Sequence, residues 1–275
     1  MPKILTKIIS VLFGASVICA AAVRCVQMFC YTNASTGFII HGAEKTIVLF
    51  FIACAAVIMF SVLLCRKNAY RNPFSKQRSR RVFYFCIFAA VAMFYDFVHQ
   101  CINCYKYISE NVNFEWNYFI PVCLVGISAV LCAFYFIIMG VSFVTDKYDF
   151  RNLSYFHIMP VCWNLFMLLC TLTRNDDGLY AQESILHYSV LILGMLFHIA
   201  VIRCLESNLH KLRTFCFFGF LYGAMCFVLA VPRIAAIVFG ADVYTTAFSA
   251  STYFFTGAFA VSLSAEALKD NLEEG

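Results

Sequence analysis

Apolar runs recur along the chain from end to end, separated by short polar connections. They cover roughly 8–30, 46–65, 82–104, 118–143, 154–173, 184–203, 214–239 and 245–268. About 20 apolar residues suffice to cross a bilayer core of about 30 Å as a helix. Backbone groups in lipid must find their hydrogen bonds inside the segment, which predicts helix for every run. The expected fold is all-α: a polytopic integral membrane protein of about eight transmembrane helices, forming a single transmembrane domain over 1–275. None of the connections is long enough to hold a domain outside the membrane. The first run has a rival reading as a signal peptide, because Lys3 and Lys7 precede it and Ala20, Ala21 and Ala22 could mark a cleavage site. Cleavage there would leave seven helices.

Composition agrees with the pattern: 63% of the 275 residues are hydrophobic and 13% charged. A soluble domain could not cover that much apolar surface. Charge then orients the chain. With the N-terminus inside, fifteen of the 20 Lys and Arg residues fall on the cytoplasmic side. Only Lys45, Lys106 and Arg174 fall outside, while Arg24 and Arg233 lie within helices. Basic residues collect on the cytoplasmic side of a membrane, so both termini are expected to be cytoplasmic and the membrane to be the plasma membrane. The basic stretch "RKNAYRNPFSKQRSRR" reads as a headgroup-facing loop, not a nucleic-acid patch.

Polar residues inside the spans are not scattered. At about 100° per residue, Asp96, His99, Gln100 and Asn103 share one arc, continued by Ala89 and Ala92. His157, Asn164 and Thr171 share a face of the fifth run, and Ser184, His187, Gly194 and His198 one of the sixth. Ser128, Tyr135 and Ser142 align in the fourth run, and Thr245, Ser249, Thr252 and Thr256 in the eighth. The run over 46–65 has almost no polar face and is expected to be surrounded by lipid. Aligned polar faces serve either as interhelical glue or as the wall of a hydrated cavity.

Three charges lie within spans. Asp96 is the one acid well inside a run, and Arg24 and Arg233 are the two arginines. Charges in spans are costly and mark function by default. Arg24 shares a face with Ser16, Ala20 and Ala21, and Arg233 with Gly219, Gly223 and Ala230, the glycines forming the small-xxx-small pair of "GFLYG". Both arginines are therefore expected to point into the bundle and to meet Asp96 in an outward-facing pocket that includes His99 and Gln100. Pro121, Pro160 and Pro232 are expected to bend their helices.

The fifteen cysteines fall mostly mid-helix and form no disulfide framework. Cys101 and Cys104 make a CxxC, but at a helix C-terminal end, where the dipole disfavours a thiolate. No cofactor and no metal are expected, since no Cys/His cluster completes a site with His99. "NAS" over 33–35 matches a glycosylation sequon.

"RCVQMFCYTNASTGF" at the end of the first run, and "IMPVCWNLFMLL" in the fifth, resemble stretches of a set of uncharacterised multi-pass bacterial membrane proteins, in which an Arg-containing first helix runs into a polar turn ending in TGF. The resemblance implies a multi-pass fold and no particular activity.

Three functions are compatible with these observations. One is binding or transport of a small anionic or zwitterionic ligand entering from the outer side. The second is an accessory or structural role through helix contacts with a membrane-protein partner. The third is a thiol-redox enzyme using Cys101 and Cys104. All three place the protein in the lipid bilayer and none requires nucleic acid.

Overall fold

The computed structural model describes residues 2–31, 79–110, 116–145, 155–173, 181–206, 212–239 and 250–273. They form seven helices: α1 (Pro2–Cys30), α2 (Arg80–Glu110), α3 (Trp116–Ser142), α4 (Ile158–Thr173), α5 (Ala181–Glu206), α6 (Leu212–Phe239) and α7 (Ala250–Glu273). The run over 46–65, the sequon and TGF turn, and Thr245 and Ser249 lie outside the described residues.

Six helices, α1 to α6, are long and apolar enough to cross a membrane, and the protein is an all-helical membrane protein. The seventh, α7, falls short because Ser251, Thr252, Tyr253, Thr256, Ser262, Ser264 and Glu266 dilute its apolar residues. Its position explains how it tolerates them. Thr256, Gly257, Ala258, Phe259 and Ala260 are all buried, so the middle of α7 is enclosed by other helices.

Helix directions follow from paired positions. Cys86 faces Gly140 and Gln100 faces Gly126, so α2 and α3 are antiparallel. Phe88 stacks on Phe255 at 5.4 Å, and Thr252 Oγ1 donates to the Ala92 carbonyl at 3.2 Å, which makes α2 and α7 antiparallel. Gly219 meets Ser264 and Gly223 meets Gly257, so α6 runs against α7. By contrast, Phe13 packs on Phe220 at 5.0 Å and Phe29 on Phe239 at 6.5 Å. Helices α1 and α6 therefore run in the same direction, and so do α1 and α2. The shared end at which α2 and α6 begin and α3, α5 and α7 finish carries Arg80, Arg81, Arg203 and Arg213, and is called the basic end below.

Local sequence sets the helix ends. Ser79 caps α2: its hydroxyl accepts from the Val82 amide at 3.4 Å and its carbonyl from Phe83 at 3.1 Å. The last turn of α3 tightens as Phe143 bonds back to Gly140. Pro121 and Pro232 lie inside α3 and α6. Pro160 is placed differently. It sits in the first turn of α4, where no intrahelical partner for its nitrogen is needed.

The tightest contact is the α6·α7 crossing. A Cβ on Gly223 would lie 2.9 Å from the Gly257 carbonyl, and one on Gly257 would lie 2.6 Å from Cys226 Cβ. Only hydrogen fits at these positions, which is how small-xxx-small pairs hold helices together where lipid removes any hydrophobic drive between them.

Candidate functional site

Asp96 lies sixteen residues into α2, about 24 Å from the basic end at about 1.5 Å per residue. It is 0% exposed. An enclosed carboxylate must be hydrogen-bonded or it destabilises the fold by several kcal/mol. Trp163 of α4 supplies one bond, its indole N–H donating to Oδ2 at 3.2 Å, and Gln100, one turn along α2, acts on the same carboxyl. Oδ1 and the Gln100 Oε1 meet no donor among the described residues.

Asp96 is thus held by a tryptophan and an amide, and the expected meeting of all three charges is not seen. Arg24 donates instead to Gln27 Oε1 at 2.6 Å, one turn along its own helix. Gln27 is buried, while Arg24 is only half-buried. Arg233 is 1% exposed. Tyr253 of α7 lies near enough to both Arg233 and Asp96 to feel the charge of each. Its hydroxyl shares a 2.5 Å hydrogen bond with His187 Nε2 of α5, and its ring lies 6.0 Å from that of Trp163. Asp96, Gln100, Trp163, His187, Tyr253 and Arg233 thus form one enclosed polar layer drawn from five helices. His99 and Asn103 stand beside it, half-buried, and bond each other, Asn103 Nδ2 donating to His99 Nδ1 at 3.2 Å.

Asn164, Thr252 and Thr256 form a middle layer. Tyr222 donates to Thr256 Oγ1 at 3.2 Å, and Thr256 bonds the Thr252 carbonyl at 2.8 Å. Asn164 donates to the Pro160 carbonyl at 2.7 Å, while its Oδ1 is pressed against Gly194. His157 and His198 form a third layer with Tyr135, whose hydroxyl lies 2.6 Å from His157 Nδ1. The Tyr135 ring is 4.9 Å from His157 and 6.2 Å from His198.

On the polar faces of α3 to α7, Ser128, Ser142, His157, Asn164, Thr171, His187, His198, Thr252 and Thr256 are all enclosed. Most hydroxyls, however, bond a carbonyl of their own helix, as Ser128, Ser142 and Thr171 do. The bonds between helices come largely from aromatic side chains. Trp163, Tyr222 and Tyr253 belong to none of the polar faces expected from the sequence, yet each holds a cross-helix bond. Trp163 was within reach of the helical pattern, since it shares the face of Pro160, Asn164 and Met167, and a buried indole N–H needs an acceptor.

The CxxC is placed differently from its expected position. Helix α2 continues to Glu110, past both thiols. Cys101 is exposed, and Cys104 lies 4.0 Å from Cys123 of α3, so its thiol neighbour is on another helix. Among the described residues no group of three His, Cys, Asp or Glu side chains could hold a metal. Comparison with protein-family models, with curated proteins and with solved structures finds no match to this chain.

Proposed function

We propose that this protein binds, and carries across the plasma membrane, a small zwitterionic or anionic ligand held between Asp96 and Arg233. The observation that carries the reading is the Asp96 carboxyl. It is wholly enclosed within a span, yet Oδ1 meets no donor among the described residues, and the Gln100 Oε1 beside it is in the same condition. Two adjacent acceptors of this kind suit a ligand ammonium. Arg233, near Tyr253 in the same layer, supplies positive potential for a carboxylate or another anionic group.

The proposed topology is eight spans with both termini in the cytoplasm. Two observations support this count: α1 and α2 run in the same direction, and the sequence between them holds one further apolar run of spanning length, 46–65. The basic end is then cytoplasmic, and the Asp96 layer lies in the outer half.

The test is thermal stability of the purified protein with glycine, with N-acetylglycine, which lacks the ammonium, and with glycine methyl ester, which lacks the carboxylate. A ligand at about 100 times its Kd stabilises by about 2.7 kcal/mol. Glycine or a larger amino acid is expected to raise Tm in the native protein but not in Asp96→Asn, and the blocked forms to act weakly. Absence of any shift across a panel of free amino acids would sink the reading and leave the accessory role, in which the polar layer only holds helices together.

A further inference from the structure

The described cysteines differ in their surroundings. Cys86, Cys132, Cys170, Cys204, Cys216 and Cys226 are buried, where a thiol acts as a small apolar group. Cys104 and Cys123 are half-buried, and their sulfurs lie 4.0 Å apart across the α2–α3 contact. The register of that contact places them. Gln100 faces Gly126. Cys104 follows Gln100 by one turn of α2, and Cys123 precedes Gly126 by nearly one turn of α3. In an antiparallel pair both steps lead the same way, toward the end where α2 finishes and α3 begins, opposite the basic end.

Depth follows from the helix rise. Arg80 and Arg81 open α2. A hydrocarbon core of about 30 Å, counted from that turn at about 1.5 Å per residue, ends near Gln100. Cys104 lies one turn further on, followed by Tyr105, Lys106 and Tyr107, and α3 opens on Trp116. Tyrosine, tryptophan and lysine are side chains of the membrane–water interface. Tyr105 is 74% and Trp116 65% exposed. The two thiols are therefore at headgroup level, within reach of water-borne reagents.

Chemistry then selects the pair. Cys101 and Cys104 stand three apart within α2, which continues past both to Glu110. Such positions hold their Cβ atoms about 5–6 Å apart, whereas a disulfide needs about 3.5–4.5 Å, so joining them would unwind the helix. The sulfurs of Cys104 and Cys123 already touch. Closing them to the about 2.05 Å of a disulfide asks for a shift of about 2 Å, within the range of side-chain rotation.

We propose that Cys104 and Cys123 are a thiol–disulfide exchange site, which takes up a disulfide from a small solute of the glutathione disulfide or cystine class and becomes a cross-link between α2 and α3. One cysteine, as thiolate, attacks a donor sulfur. The donor S–S bond breaks, one thiolate leaves, and a mixed disulfide remains. The second cysteine attacks the protein sulfur of that intermediate and expels the other donor thiolate. The two protons given up by the cysteines end on the two released thiols. The cysteines are oxidised by two electrons and the donor is reduced by two. With both termini cytoplasmic this end faces outward, where such disulfides persist. The exchange itself depends neither on that topology nor on the ligand reading.

The purified full chain is reduced, freed of reductant and incubated with glutathione disulfide, and remaining thiols are blocked with N-ethylmaleimide. Glu110 and Glu115 lie between the two cysteines, so digestion in SDS with a Glu-specific protease separates them unless a link joins the fragments. The native protein and Cys101→Ser are expected to give a joined pair of fragments, shown by mass spectrometry to be linked through Cys104 and Cys123 and released by reductant. Cys104→Ser and Cys123→Ser should lose the link and carry one glutathione on the cysteine that remains. Alanine replaces serine in a variant that does not fold, with the same expected loss. Native protein that keeps glutathione or maleimide on both cysteines, a Cys101–Cys104 link, or joined fragments that survive in Cys104→Ser would each overturn the proposal.

Discussion

Arg24 and Arg233 occupy matching positions on parallel neighbours. Phe13 pairs with Phe220 and Phe29 with Phe239, which puts the two arginines at about the same level of α1 and α6. Their surroundings nonetheless differ. Arg233 is sealed among α5, α6 and α7 beside Tyr253 and His187. Arg24 stands on a helix that packs chiefly on α6 and α7 among the described helices, and leans on Gln27 of its own helix. The same residue type at the same depth is thus a core group in one helix and a rim group in the other. What decides between them is how many helices surround the position, and that is a property of packing which neither local sequence carries.

The widest test of this core-and-rim contrast uses glycines. Gly223→Leu should destabilise by about 3 kcal/mol or more, because the side chain would enter the Gly257 backbone and Val261. On α1, a methyl group added at Gly14 would meet nothing within 4 Å. Gly14→Ala should be neutral or stabilise by up to about 1 kcal/mol through helix propensity alone. Thermal unfolding in detergent reads both, and equal losses at the two sites would erase the contrast.

The arginines come next. Arg233→Met should cost about 2–4 kcal/mol, since its loss strands the polar groups that surround it. Arg24→Met should cost below about 1 kcal/mol, as for a partly solvated pair. A reversed order would mean that α1 is more enclosed in the membrane than the described helices show.

A subtler measurement asks what Asp96 is tied to. A double-mutant cycle of Trp163→Phe with Asp96→Asn should show a coupling of about 0.5–3 kcal/mol, whereas Arg24→Met with Asp96→Asn should be additive within about 0.5 kcal/mol. Coupling in the second cycle and not the first would restore the charge cluster and remove the indole bond.

The smallest effect concerns thiols. Mild oxidation should join Cys104 to Cys123, whose sulfurs already lie 4.0 Å apart, with little change in Tm. Mass spectrometry after digestion reads the link, and a Cys101–Cys104 link instead would favour the redox reading of the CxxC.

Much of the fold was legible because membrane helices announce themselves by length and hydropathy, and those signals lie within single segments. The inward faces were legible too: Asn164, His187, His198 and Thr256 fall where the 3.6-residue period puts them. The partners were not. Asp96 has two arginines available by charge, and the sequence favours them over an indole. The choice of Trp163 depends on which helices are neighbours, and that is set by the crossing of all of them at once. Tyr253 and Tyr222 were hidden for another reason: in an apolar segment a tyrosine reads as an interfacial anchor, and only packing shows its hydroxyl turned inward. The Cys101–Cys104 pair misleads because the apolar run stops at 104 while the helix goes on to Glu110, so hydropathy lends the thiols a terminus they do not have.

The glycine crossing of α6 on α7 has a mechanical meaning. Gly223 lies against Val261 and the Gly257 carbonyl, and Gly219 against Ser264, so the two helices approach more closely than large side chains would allow. They form a single stiff strut. Elsewhere in the bundle aromatic side chains separate the helices. The α4 and α5 pair fits that description: it meets the strut through the rings of Trp163, His187 and Phe197. The side that carries Arg233 is thus held by glycine contacts, and the side that carries the indole and the imidazoles meets it through rings.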